Sequence, residues 1–294
     1  SGATAIRCAR LRDLAHGGQT LLSAAAAALV LDSLPAQCVL TELLEVFLNG
    51  LSRPERPHDL GHPELPRSVR WTPTDATSEL PFFPTSFVGR EAEIAELLDV
   101  IGGSWLTTIT GTGGSGKTRL AHQVAQAGLP TFEAGMVWVD LSPIDSPSRV
   151  ASAVAQACGI SQSPGGAEPH ELIVRHLRSF RRLVVLDNCE HLVGAVASLL
   201  SIVASHDPHS VVLATSREPL GVPGETVWRV PSLSFAAPKA STSEDTIGDG
   251  ARLFLDRAHA ARPDMDFGPH AATIERICRR LDGVPLAIEL AAAR

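Results

Sequence analysis

One run of residues has the types and the spacing of a loop that binds phosphate: Gly111, Thr112, Gly113, Gly114, Ser115, Gly116, Lys117 and Thr118. Glycine tolerates positive φ, so successive backbone N–H groups of such a loop can turn toward phosphate oxygens. The ammonium of Lys117 can reach the β- and γ-phosphates of a nucleotide, and the hydroxyl of Thr118 can ligate Mg²⁺. We include the next residue, Arg119, in the predicted nucleotide-binding set. The run therefore predicts a nucleotide site.

The residues on either side of this loop support the prediction. Residues 105–110 before it are apolar and β-branched over the length of a strand. After it, apolar residues recur at helical spacing at Leu120, Ala121, Val124 and Ala125. A strand, a loop and a helix in this order place phosphates at a helix N-terminus, where the macrodipole favours anions. A glycine-rich turn that only happens to match the pattern would not need this context.

A single carboxylate, Asp187, ends the all-apolar run 183–186, seventy residues after Lys117. A carboxylate at the end of a buried strand can hold Mg²⁺, directly or through water, together with Thr118. The alternative is that Asp187 caps the helix that follows it. We predict a metal site at Thr118 and Asp187.

The sequence leaves two interpretations of the residue that would act as catalytic base. Many ATPases place a second acid directly after the metal carboxylate, but this chain has Asn188 there. Glu190 is the nearest other carboxylate and the candidate base, although capping of the predicted helix 192–203 explains it equally well.

Arg217 is the fourth candidate catalytic residue, with Lys117, Asp187 and Glu190. It ends the predicted buried strand 211–217, and ligands of open α/β sheets gather at the ends of strands. Charge-assisted hydrogen bonds would let it sense a γ-phosphate. A surface salt bridge is the alternative.

Strands at 105–110, 136–141, 183–187 and 211–217 alternate with helices at 94–101, 150–157, 171–177 and 192–203. This alternation predicts an α/β fold with a mostly parallel sheet covered by helices. Apolar faces around 251–258 and 274–281, without a strand signal, predict a helical subdomain.

Four regions are expected. Residues 1–66 form a small N-terminal segment, and 67–86 form a proline-rich linker whose Phe82 and Phe83 pack with Phe87 onto the next domain. Residues 87–240 form the nucleotide-binding domain, and 241–294 form a helical lid.

Composition excludes several other classes. The 294 residues are 44% hydrophobic and 19% charged, as in globular proteins, and the net charge of −7 gives no basic footprint for nucleic acid. Five scattered cysteines predict reduced thiols in the cytoplasm. The longest apolar run, 21–31, is too short to span a membrane. The sequence at both ends suggests a fragment of a longer protein.

Five motifs occur in an order that resembles one family: residues 88–91, the phosphate loop, 186–191, 215–217 and 283–287. The set is similar to the signal-transduction ATPases with numerous domains (STAND), P-loop NTPases that include the NB-ARC switch ATPases. It is most similar to the ATPase modules of large bacterial LuxR-type transcriptional regulators. The resemblance covers about residues 80–294.

The resemblance implies residue roles. Val88 and Arg90 flank the adenine, and Pro285 closes over the base from the helical subdomain. Asp187 supports the metal and Arg217 reads the γ-phosphate, while Asn188 departs from the pattern of a second acid.

The implied function is a signalling switch that binds ATP or ADP, with Mg²⁺, and hydrolyses ATP slowly. The intact protein could self-associate, and it would reach DNA only through a domain that this fragment lacks. Two rivals are a scaffold that holds ADP without hydrolysis and a phosphotransferase acting on a small molecule.

The N-terminal segment resembles the C-terminal tail of class III adenylate cyclase domains. The similar stretches are 9–11, 15–23 and 51–57. In that family an Asn and an Arg four residues apart stabilise the transition state. Arg10 matches the arginine, but Ile6 stands at the asparagine position. The resemblance therefore implies a degenerate remnant without cyclase activity.

Overall fold

The computed structural model describes residues 2–14, 20–35, 37–42, 55–62, 80–132, 134–160, 168–179, 181–235 and 247–294. The boundaries predicted at 66/67 and 240/241, and part of the cyclase-like stretches, lie outside these residues. The N-terminal part contains helices α1 (Gly2–Leu14) and α2 (Ala24–Val30). It also contains strands β1 (Leu21–Leu22), β2 (Val39–Glu42) and β3 (His58–Gly61), which form an antiparallel sheet in the order β1-β3-β2.

The start of α2 is held by two side chains. Ser23 is its N-cap, and its Oγ accepts a hydrogen bond from the Ala26 N–H at 3.1 Å. Glu55 accepts from the Ala24 N–H at 2.8 Å and pairs with Arg7 at 2.8 Å. Two N–H groups of its first turn are therefore satisfied by side chains, as a helix start requires.

The larger part is built on a five-stranded sheet. Its strands are β4 (Leu106–Thr110), β5 (Met136–Asp140), β6 (Leu183–Asp187), β7 (Val211–Ser216) and β8 (Glu225–Arg229), in the order β5-β6-β7-β4-β8. Every neighbouring pair is parallel. The predicted parallel sheet is confirmed, and the carboxyl ends of all its strands meet at one edge.

Five helices cover both faces of this sheet: α3 (Glu91–Gly103), α4 (Lys117–Gly128), α5 (Val150–Ala157), α6 (Pro169–Ser179) and α7 (Val193–Ala204). The side chains of β6 show how the faces divide. Leu183 and Val185 belong to the core beneath α3 and α4, whereas Val184 and Leu186 belong to the core beneath α5, α6 and α7. The continuous apolar run of β6 arises because side chains of a strand alternate between two buried faces.

Strand β8 was not predicted, because no strand was expected between Arg217 and Pro238. Its sequence lacks the alternation of a half-buried strand: Thr226 and Val227 are both exposed, and only Trp228 is buried. It lies at the edge of the sheet beside β4. Such an edge strand obtains its order from backbone pairing more than from buried side chains.

The C-terminal part is helical, as predicted. It contains α8 (Asp249–Ala261), α9 (Ala271–Arg280) and α10 (Pro285–Ala292), which enclose a separate apolar cluster that includes Leu253, Phe254, Ile274 and Ile288. Pro285 is the first residue of α10, where its restricted φ suits a helix start. In the described parts of the chain, no helix is both long and apolar enough to cross a membrane.

Candidate nucleotide-binding site

The phosphate loop joins the end of β4 to the first turn of α4. Gly114 and Gly116 have φ values of +75° and +87°, which only glycine adopts readily. The Lys117 ammonium donates hydrogen bonds to the Gly111 and Thr112 carbonyls at 3.0 and 3.2 Å, so the loop curls around it. Burial lowers the pKa of Lys117, and the charge of Glu190 opposes this effect. The loop has the curled backbone and central cation of an anion-binding cradle.

Two neighbours approach the glycines closely. The Leu286 N–H donates to the Gly114 carbonyl at 3.2 Å, and a Cβ added to Gly114 would lie 2.8 Å from the Cβ of Leu286. A Cβ on Gly116 would lie 3.4 Å from Arg90 Nη1. Gly114 therefore requires glycine for close packing as well as for backbone conformation, whereas Gly116 requires it for backbone conformation alone. Helix α10 rests directly on the phosphate loop.

Asp187 lies at the carboxyl end of β6 and is only 2% exposed. One of its carboxylate oxygens accepts hydrogen bonds from the hydroxyls of Thr118, at 2.9 Å, and Thr215, at 2.6 Å. Burial raises the pKa of this carboxyl, and the two hydroxyl hydrogen bonds counteract the rise. Thr118 and Asp187 are thus adjacent oxygen donors beside the phosphate loop. This donor set fits Mg²⁺, which prefers oxygen ligands completed by phosphates and water.

Asn188 adopts a left-handed conformation at φ +61°. Its side-chain nitrogen faces three oxygen atoms, on Asp187 at 3.2 Å, Ser142 at 3.2 Å and Asp140 at 3.4 Å. Since ionised carboxylates only accept hydrogen bonds, the amide nitrogen must be the group that faces them. The residue that departs from the family pattern therefore acts as a donor between two carboxylates that end neighbouring strands.

Glu190 and Arg217 form an ion pair, with Arg217 Nε 3.3 Å from Glu190 Oε1. Glu190 lies in a short 3₁₀ turn after β6, and Arg217 follows β7 directly. A Cβ added to Gly113 would lie 3.8 Å from Arg217 Nη2, so the guanidinium stands beside the phosphate loop. Arg217 therefore forms a salt bridge and also lies in the position expected of a γ-phosphate sensor.

Arg90 is held on the backbone. It is 2% exposed, and its Nη2 donates to the carbonyls of Ser115, at 2.9 Å, and Pro231, at 3.2 Å. Its φ of +67° is left-handed, and burial lowers its pKa while Glu93 and Asp249 oppose that shift. The guanidinium joins the phosphate loop to the segment after β8.

A cavity of ≈ 360 Å³ connects these groups. The predicted residues that line it are Val88, Arg90, Gly113, Gly114, Gly116, Lys117, Thr118, Arg119, Glu190, Arg217 and Pro285. The other predicted residues, Gly111, Thr112, Ser115 and Asp187, do not line it. Gly111 and Thr112 supply the carbonyls that accept from Lys117, and Asp187 accepts from Thr118 and Thr215. The Oγ of Ser115 is buried without a partner among the described residues.

Sequence reasoning missed part of the cavity wall: Ser86, Phe87, Leu233, Leu253, Leu286 and Glu289. Leu286 lies within the family motif at 283–287 and Glu289 two residues after it, so the motif could have suggested them. Ser86 gives no such signal, because it was assigned to the linker. The prediction that the aromatic residues here pack onto the domain is right for Phe83, whose ring lies 5.1 Å from that of His122. It is wrong for Phe82, which is 87% exposed.

Ser86 is held by two arginines from different parts of the fold. Arg119 donates to the Ser86 carbonyl at 2.7 Å. Arg257 on α8 donates to the same carbonyl at 2.8 Å and to the Ser86 hydroxyl at 2.9 Å. Both arginines also pair with Glu289 on α10, at 3.5 and 3.0 Å. These contacts connect the end of the linker, the phosphate-loop helix and the C-terminal helices.

Replacing Arg257 with alanine should lower the free energy of unfolding by about 2 kcal/mol, because charged hydrogen bonds from a largely buried side chain are lost. Chemical denaturation measures this change. Arg252→Ala is the matched control, since Arg252 lies on the same helix but is 53% exposed and, in the part of the chain that the structure describes, pairs with Asp249. Equal losses in the two variants would contradict a connecting role for Arg257.

A parallel sheet, a phosphate loop entering α4 and a carboxylate at the end of β6 define the P-loop NTPase fold. Within that class, the NB-ARC domain model matches residues 91–220. Among curated proteins, the chain is 45% identical over 190 residues to "Putative HTH-type transcriptional regulator Rv0890c" of Mycobacterium tuberculosis (strain ATCC 25618 / H37Rv). That match covers 64% of this chain and 20% of the relative.

A second relative is "Uncharacterized protein Rv0894" of the same strain, 39% identical over 211 residues. The match covers 71% of this chain and 51% of that protein. The chain thus spans about a fifth of the first relative and about half of the second. Among solved structures, a STAND protein with a tetratricopeptide repeat sensor from Pyrococcus horikoshii aligns with a TM-score of 0.50 at 17% identity. That alignment covers 72% of this chain and 30% of the other, and it supports the fold alone.

Proposed function

We propose that this protein is a signal-transduction switch that binds ATP or ADP and couples the bound nucleotide to the position of its C-terminal helices. One observation carries the proposal: a single cavity is lined by both the phosphate loop and α10, and the Leu286 N–H donates directly to the Gly114 carbonyl. A ligand that changes the conformation of the loop would therefore change the position of α10. A switch requires such a difference in contacts between its two liganded states.

The roles of the site residues follow from their places. Lys117 and the loop N–H groups would bind the phosphates, Thr118 and Asp187 would hold Mg²⁺, and Arg217 would contact a γ-phosphate. The metal would neutralise phosphate charge. Val88 and Pro285 line the cavity where the base would enter, while Arg90 would shape the loop from behind. Arg119 would position Ser86 at the rim.

Hydrolysis in this proposal is slow. The residue after Asp187 is an amide whose nitrogen faces carboxylates, so it offers no base. Glu190 is the next carboxylate after Asp187 in the chain, it lines the cavity, and it is paired with Arg217. This arrangement also supports a second candidate function, a scaffold that holds ADP without hydrolysis. Single-turnover hydrolysis with Glu190→Gln separates the two, since absence of ATP decay in both wild type and variant favours the scaffold.

The biological setting is proposed from the relatives. One relative is named as an HTH-type transcriptional regulator, so we propose that this nucleotide switch regulates a transcription factor, of the LuxR type, that reaches DNA through a separate domain. Self-association of the intact protein and a degenerate cyclase-like origin of residues 1–66 remain predictions from the resemblance.

The switch is tested by limited proteolysis of residues 247–294. Cleavage in these helices should differ between Mg²⁺ with ADP and Mg²⁺ with a non-hydrolysable ATP analogue, because α10 rests on the loop that binds the phosphates. Lys117→Ala is the control and should give one pattern under both conditions. Identical patterns from the wild type with either nucleotide bound would contradict the switch.

A further inference from the structure

The carboxylate of Glu190 lies among the cations that would bind a γ-phosphate. It pairs with Arg217 Nε at 3.3 Å, and both side chains line the cavity together with Lys117. Among the charged groups that shift the pKa of Lys117, Glu190 has the largest effect, ahead of Arg217 and Asp187. One carboxylate therefore balances two cations on the side of the cavity where a third phosphate would be placed.

The second oxygen of Glu190 is the notable atom. Oε2 is buried and has no hydrogen-bond partner among the described residues, although Glu190 borders the cavity. An unsatisfied buried carboxylate oxygen is costly, because it has lost its water. A buried polar atom without a partner calls for a specific explanation, and this one belongs to a side chain that lines the candidate site.

We propose that Glu190 acts as an internal substitute for the γ-phosphate and thereby determines the preference of the site between ADP and ATP, an inference that rests on the proposed nucleotide function. With ADP, the carboxylate serves as the anion for Arg217 and Lys117. With ATP, the γ-phosphate brings negative charge to the same two cations, so the pair between Glu190 and Arg217 must separate. Binding of ATP therefore carries a cost that binding of ADP does not.

Removing the charge of Glu190 should remove that cost. In Glu190→Gln, the affinity for a non-hydrolysable ATP analogue should rise about tenfold relative to the affinity for ADP, the size expected for one charge pair near a protein surface after screening. Isothermal titration calorimetry in Mg²⁺ measures both affinities without turnover. Glu218→Gln is the matched control, since Glu218 is an exposed carboxylate one residue from Arg217 that does not line the cavity. In Glu218→Gln, the ratio of the affinity for the ATP analogue to the affinity for ADP should equal that of the wild type.

A double-mutant cycle tests whether Arg217 takes part. In an Arg217→Ala background, the gain from Glu190→Gln should be smaller, because no ion pair remains to be broken. An equal gain in both backgrounds would overturn the role of the pair.

The outcomes separate this inference from the proposed function. An unchanged or lowered ratio of ATP to ADP affinity in Glu190→Gln, in a protein that binds both nucleotides, would overturn the inference and leave nucleotide binding intact. Failure of the wild type to bind either nucleotide would overturn both. If Glu190 instead served only to orient Arg217 over Gly113, Glu190→Ala would weaken binding of the ATP analogue while Glu190→Gln would not strengthen it. That result also contradicts the inference.

Discussion

Replacing Lys117 with alanine should reduce the affinity for both ATP and ADP by about 100-fold, which corresponds to about 2.7 kcal/mol. Lys117 is 8% exposed, and its ammonium lies at the centre of the phosphate loop, where it donates to the Gly111 and Thr112 carbonyls. Its removal eliminates a partly desolvated charge that would contact phosphate, and it also frees the two carbonyls that shape the loop. Calorimetric titration of wild type and variant with each nucleotide measures the loss.

Two comparisons make this experiment specific. Arg149→Ala removes an exposed cation, with a side chain 63% accessible, and should leave both affinities unchanged. Lys117→Arg keeps the charge, but a planar guanidinium does not fit a space built around a compact ammonium, so it should recover little binding. Equal affinity in wild type and Lys117→Ala would show that the loop is not a phosphate site.

Replacing Asp187 with asparagine should abolish the effect of Mg²⁺ on the affinity for ATP. We expect the affinity for the non-hydrolysable analogue to lose its dependence on Mg²⁺, a decrease of about 10- to 100-fold at saturating metal, because one of two adjacent oxygen donors is gone. Titrations with Mg²⁺ and with a chelator measure this dependence. An Asp187→Asn variant with the full Mg²⁺ dependence would contradict the assigned metal role.

Asparagine and alanine in place of Asp187 should have different effects on the free energy of unfolding. Burial raises the pKa of Asp187, so its charged form is disfavoured inside the protein, and a neutral amide removes that cost while its oxygen can still accept from Thr118 or Thr215. The amide nitrogen would lose the hydrogen bond that Asn188 Nδ2 donates to Asp187 Oδ2, and these two opposing effects should keep the free energy of unfolding of Asp187→Asn within about 1 kcal/mol of wild type. Asp187→Ala leaves both hydroxyls without their acceptor and should lower it by about 2 kcal/mol. Denaturation without nucleotide distinguishes the two.

The sequence predicted the parts of the fold whose local pattern and burial agree. Strand β6 is apolar at four successive positions because both faces of the sheet are covered, and its buried position could be read directly from those residues. The phosphate loop was equally clear, since its glycines and Lys117 have a spacing that backbone geometry requires. Asp187 was located because a lone carboxylate at the end of such a strand is conspicuous.

The remaining features depend on contacts between distant segments. Strand β8 pairs with β4 although its side chains are largely exposed, so its pattern carried little information. The resemblance places Arg90 beside the adenine, and it gave no sign that the side chain also binds the carbonyls of Ser115 and Pro231, which are 25 and 141 residues away in the chain. The pairing of Glu190 with Arg217 likewise depends on two strands lying side by side. Local periodicity does not record such contacts.

The stretch that follows β8 has a mechanical consequence. The Val230 N–H donates to the Thr110 carbonyl at 2.8 Å, just before the phosphate loop, and the Leu233 N–H donates to the Gly283 carbonyl at 3.0 Å, just before α10. Between them, Pro231 is held by Arg90. A rotation of the C-terminal helices about this stretch would therefore pivot within a few residues of the phosphate loop. Helix α8 has 13 residues, which makes it about 20 Å long. With the pivot at one end of that lever arm, a turn of about 15° would carry the other end by about 5 Å, a displacement that a neighbouring domain could detect.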